Sequence, residues 1–121
     1  MDGNVIERVR ADFAFLRERV LAVLVFGSSV DAAAAARDVD VCIVAPGATP
    51  SDLLLEVFDK VDVRGKRYDV SVFEELPIFM RHEVIEHHAV ALAEDVPALG
   101  EYLYFQRKPC LDMLARQRQA V

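Results

Sequence analysis

The chain reads as an α/β (α+β) domain, a small mixed sheet of about four strands with helices packed against it. Three observations predict this class. Leu21 to Phe26 is a run of six apolar residues without alternation, which suits a strand covered on both faces. Nine residues beyond Gly27-Ser28-Ser29, a second apolar run opens on Asp38-Val39-Asp40 and ends at Val44. Segments with helical spacing alternate with such strands along the chain, an order that packs helices onto a sheet. The 121 residues are read as one domain, 1–121.

The elements follow in order. Asn4 and Glu7 have capping-box spacing, and Val5, Val9, Phe13, Leu16 and Val20 recur at helical intervals, which predicts a helix over 4–19. The first strand spans 20–26, and the glycine after it allows a sharp turn whose amides can face an anion. Alanine-rich Ala32 to Ala36 predicts a short helix. After the acidic strand, Thr49-Pro50 opens a helix with Leu53, Leu54, Val57, Phe58 and Val61 as its buried stripe. Val61 to Arg64 either ends that helix or pairs as a hairpin through Arg64-Gly65, and the helical reading is preferred. Tyr68 to Phe73 alternates as a strand, with Tyr68, Val70 and Val72 on one face and Asp69, Ser71 and Phe73 on the other. Pro77 opens a further helix, Ala89 to Ala93 forms a short edge strand, and Pro97 begins the last helix. Leu99, Leu103, Met113 and Leu114 are expected to face the core there, and Pro109 to kink or interrupt the helix.

Composition narrows the function classes. A formal net charge of −6 disfavours broad binding to a nucleic-acid backbone. No apolar run approaches a membrane span, and Met-Asp-Gly-Asn begins no signal segment, so a cytoplasmic protein off the membrane is expected. Cys42 and Cys110 lack C-x-x-C spacing, as reduced cytosolic thiols would. His82, His87 and His88 lie at intervals of five and one, not at the i, i+4 spacing that puts two imidazoles on one helix face. Tyr102 to Phe105 are four consecutive large side chains. They point all round a helix, so core packing takes some, and those left outside favour an interface with a partner chain or a second copy.

The chemistry concentrates at three places. A strand's period of two puts Asp38 and Asp40 on one face, roughly 7 Å apart from Cα to Cα, and turns Val39, Val41 and Ile43 the other way. Crowded carboxylates need compensation, and an Asp-x-Asp beside a glycine turn suggests Mg²⁺ held against phosphate. Asp69 is a third acid on a strand.

Phe26-Gly27-Ser28, Asp38-Val39-Asp40-Val41 and Tyr68-Asp69-Val70 together resemble the nucleotidyltransferase superfamily of DNA polymerase beta type. Within it, the chain looks like the minimal nucleotidyltransferases, small proteins often encoded beside a HEPN-domain partner as antitoxin and toxin. The resemblance implies that Asp38, Asp40 and Asp69 are the catalytic and Mg²⁺-binding residues, and that Gly27 and Ser28 bind the nucleotide. It implies transfer of AMP, or another NMP, from ATP or another nucleoside triphosphate to a hydroxyl, with a tyrosine of the HEPN-type toxin as acceptor. One departure bears on activity: where family antitoxins follow Gly-Ser with one residue and then Ala-Arg-Gly, this chain has Ser29-Val30-Asp31-Ala32. An acid replaces an arginine near the phosphates, unless Asp31 instead caps the alanine-rich helix. Arg37, or Lys66 and Arg67, are the bases that could compensate it. Two functional readings follow, an active transferase and a degraded member of the fold that neutralises its partner by contact alone.

Overall fold

The computed structural model describes residues 3–27 and 38–119. Helix α1 (Gly3–Asp12) and a 3-10 turn (Ala14–Leu16) lead into strand β1 (Ala22–Phe26). Strand β2 (Val39–Val44), helix α2 (Pro50–Lys60), strand β3 (Tyr68–Val72) and a 3-10 turn (Phe73–Glu75) follow. Helix α3 (Ile78–Glu86), edge strand β4 (His88–Leu92) and helix α4 (Val96–Gln119) complete the order. Ser28, Asp31, Arg37 and the alanine-rich segment lie outside the described residues.

The sheet order is β3-β2-β1-β4, with β2 and β3 parallel and β1 antiparallel to both β2 and β4. Both faces are covered, which is why β1 needs no polar alternation: all five of its residues are buried. Val9, Phe13 and Leu16 pack with Leu53 and Val57 of α2 on the face presenting Val23, Val25, Val41 and Ile43. Val84 of α3 and Leu99 and Leu103 of α4 cover Leu24, Cys42 and Val44 on the other.

Several local expectations are corrected. The first helix does not run over 4–19: it starts at Gly3, so Asn4 lies inside it rather than capping it. It breaks where Phe13 leaves the helical region (φ −103°, ψ 11°) and buries its ring against Tyr68, 5.6 Å between centroids. Val61 is extended (φ −123°, ψ 132°) and ends α2, so Val61 to Arg64 is neither helix nor strand. It belongs to a tight loop closed by Lys66 N–H to Asp62 C=O (3.0 Å), Tyr68 N–H to Val63 C=O (2.8 Å) and Gly65 N–H to the Asp62 carboxylate (3.0 Å). Phe58 and Met113, both assigned to the core, are exposed. Helix α4 is not interrupted at Pro109 but continues through it, forgoing the bond its missing N–H would have made to Phe105 C=O. Of the aromatic cluster, Leu103 is buried and Tyr102 donates to Glu74 at 2.7 Å, while Tyr104 and Phe105 face outward.

Candidate active site

The acids meet at one end of the sheet because of strand direction. Parallel β2 and β3 both begin there, and antiparallel β1 ends there in Gly27. Asp40 pairs laterally with Asp69 on β3 and with Phe26 on β1. In-register neighbours project from the same face, with backbones about 4.8 Å apart. The Asp40 and Asp69 side chains therefore stand side by side, on the face that carries Phe26, Cys42 and Val44 into the core.

Gly27 has φ +66°, and a Cβ built on it would lie 2.8 Å from Asp40 Oδ2. The missing side chain thus serves both the turn and the approach of a carboxylate to the backbone. Asp38, one residue before β2, is exposed and accepts a hydrogen bond from Arg67 Nε at 2.9 Å. Arg67 holds a left-handed backbone, φ +59°, and its carbonyl accepts the Val39 N–H at 2.8 Å. That bond sets the register that brings Asp69 opposite Asp40.

The opposite face anchors the start of β3. Tyr68 OH donates to Asp12 Oδ2 at 2.5 Å and accepts from Arg8 Nε at 3.1 Å. Lys66 Nζ donates to Asp12 Oδ1 at 2.6 Å. Burial alone would push Asp12 up, but its bonds from Lys66 and Tyr68 hold its carboxyl below the ordinary value. These pairs span 54 and 56 residues of sequence, and no spacing along the chain announces them.

Burial, then the carboxylates of Asp69 and Asp38, push the Asp40 carboxyl above its ordinary value. Folding is therefore favoured by the protonated group. This stabilisation is complete below the unfolded value near 3.8 and is lost as pH rises through the folded one. Asp40→Asn should consequently melt above the wild type at pH 7 without divalent cations, with the difference closing towards pH 3.8. A lower melting temperature at pH 7 would show that the charge is already compensated.

The donor chemistry suits a hard cation. Among the described residues no three His, Cys, Asp or Glu side chains gather so as to hold a metal by themselves. Mg²⁺ asks for less, since one or two carboxylates with substrate phosphates and water complete its shell. Asp40 and Asp69 fit that requirement, whereas Asp38 is committed to Arg67 in this structure. The Arg67–Asp38 pair is the feature that sequence spacing did not show. Its only trace was a base two residues before the third acid.

Residues 6–92 match the family model described as nucleotidyltransferase domain. The chain belongs to the nucleotidyltransferase family. A Methanocaldococcus jannaschii protein provisionally named a protein adenylyltransferase is 32% identical over 102 residues, 84% of this chain and 78% of that protein. The fold is shared with a chain in the complex of a tri-AMPylated Shewanella oneidensis HEPN toxin with MNT antitoxin. There the TM-score is 0.70 at 13% identity, over 97% of this chain and 92% of that one. A chain of a toxin–antitoxin structure with AMP-PNP superposes with TM-score 0.67 at 12% identity, over 95% and 93%. This nucleotidyltransferase thus has the four-stranded mixed sheet expected of it.

Proposed function

We propose that this nucleotidyltransferase moves AMP from ATP to a hydroxyl of a HEPN-domain protein and so acts as its antitoxin. The observation that carries the reading is the in-register pair Asp40–Asp69 beside Gly27. Asp40 and Asp69 would hold Mg²⁺, joined by Asp38 when it parts from Arg67. Bound there, Mg²⁺ would neutralise charge developing on the phosphates during transfer. The backbone amide at the Gly27 turn would face the nucleotide's phosphates, and Ser28 would hydrogen-bond them. The half-buried anchor at Asp12 keeps Asp69 in place beside Asp40. In the transfer, the acceptor oxygen bonds to the α-phosphorus as the bond to pyrophosphate breaks; the hydroxyl proton and pyrophosphate are released.

A second reading has the fold neutralise its partner by contact, and Asp31 in place of an arginine together with the Asp38–Arg67 pair favours it. Incubation with α-labelled ATP, Mg²⁺ and a candidate HEPN-domain partner, sought in the neighbouring reading frame, distinguishes the two. Label on the partner is the expected result. Inhibition of the partner's toxicity with no label transferred would support contact alone.

A further inference from the structure

We infer that Arg67 is a nucleotide-binding residue whose guanidinium takes the β- and γ-phosphates of the triphosphate. The inference rests on nucleotide binding at the Asp40–Asp69 pair. A polyanion brought to three carboxylates needs positive charge from the chain, and the sequence offers three bases beside the acids: Arg37, Lys66 and Arg67. Arg37 lies outside the described residues. Lys66 is turned away, with its ammonium 2.6 Å from Asp12 beside Tyr68, on the face opposite Asp40 and Asp69. Arg67 is the next residue, yet its side chain reaches the acids, 2.9 Å from Asp38.

The backbone explains the divergence. Two consecutive basic residues serve opposite sides, as neighbours entering a strand do, and position 67 is in addition left-handed, at φ +59°. A residue with a Cβ keeps that conformation only where its surroundings hold it, and such outliers gather at ligand-binding positions. Here the loop is held on both sides, by Arg67 N–H to Arg64 C=O (3.2 Å) and Val39 N–H to Arg67 C=O (2.8 Å). Glycine would meet the turn without strain, so the requirement at this position is for the side chain.

That side chain is 61% exposed, at the same sheet end as Gly27, within reach of an anion arriving from solvent. Its planar fork of N–H donors matches phosphate oxygens, which a single-point ammonium does not. The contact with Asp38 is a surface ion pair, 64% exposed on the carboxylate side, and such pairs are weak enough to exchange for a phosphate. An exchange would also release Asp38 towards the cation.

Equilibrium dialysis of labelled ATP and labelled AMP in Mg²⁺, with thermal melting alongside, tests the assignment on wild type, Arg67→Gly and Arg67→Lys. For Arg67→Gly the expected result is a melting temperature at or above that of the wild type, ATP affinity about ten- to a hundred-fold weaker, and AMP affinity changed far less. Arg67→Lys should recover part of the ATP affinity. Equal or tighter ATP binding by Arg67→Gly would overturn the inference and leave Arg67 as a restraint on Asp38. Equal losses for ATP and AMP would overturn it too, by placing the effect on the acids. Should Arg67→Gly melt early, Arg67→Lys decides: a loss confined to ATP supports the assignment, and no loss ends it. A wild type that binds no ATP would overturn the transferase reading itself, and that shows before any variant is measured.

Discussion

Asp40→Asn and Asp69→Asn should each lower transfer of labelled AMP by on the order of 10²–10³-fold while the protein stays folded. Each amide keeps the shape of its carboxylate and removes the charge that a cation needs. Asp38→Asn should fall less, because Asp38 is exposed and bonded to Arg67, whereas Asp40 and Asp69 are fixed by adjacent strands in register. The raised Asp40 carboxyl sharpens the expectation, for the substitution that lowers transfer should also stabilise the fold at neutral pH. A protein that melts higher and has lost activity separates a functional charge from a structural one. Retained transfer in both Asn variants would remove the pair from the chemistry.

Gly27→Ala should destabilise the chain by about 1–3 kcal/mol, through a left-handed φ that alanine tolerates poorly and a Cβ that meets a carboxylate. At about 4 °C per kcal/mol for a chain of this size, the melting temperature should fall by roughly 4–12 °C. The two causes can be parted. Adding Asp40→Ala removes the 2.8 Å contact but not the φ of +66°, so the double variant should regain part of the loss relative to Asp40→Ala alone. An unchanged melting temperature in Gly27→Ala would mean that the turn relaxes freely, and that the close approach of backbone and carboxylate is not built in.

Much of this was legible in the chain because a single period decides it. The unbroken apolar run at Leu21 to Phe26 announced a strand with both faces covered, as β1 is. Period two put Asp38 and Asp40 on the face opposite Val39, Val41 and Ile43, and those three valine and isoleucine side chains are buried together. Asp69, assigned to the face of Ser71 and Phe73, stands in register with Asp40 on that face. What periodicity missed depends on contacts distant in sequence. The helix break at Phe13 follows from a Tyr68 ring 55 positions further on. The stripe of α2 was drawn one residue too wide at Phe58, because how far a neighbouring element covers a helix is not written in that helix. The loop from Val61 to Arg67 is held by Asp62, Val63 and Arg64 as acceptors, and its left-handed residue is an arginine rather than the glycine that would have signalled it. Met113 fits a core stripe by spacing alone, yet it is exposed on the far part of α4.

The central claim is that Asp40 and Asp69 hold a cation against the nucleotide's phosphates, and calorimetric titration of ATP into the wild type tests it most directly. With Mg²⁺ present, saturable binding is expected; with the cation chelated, or in the Asp40→Asn/Asp69→Asn double variant with Mg²⁺ restored, none. Binding of equal affinity with Mg²⁺, with chelator and in the double variant would contradict the claim and move the nucleotide away from these acids.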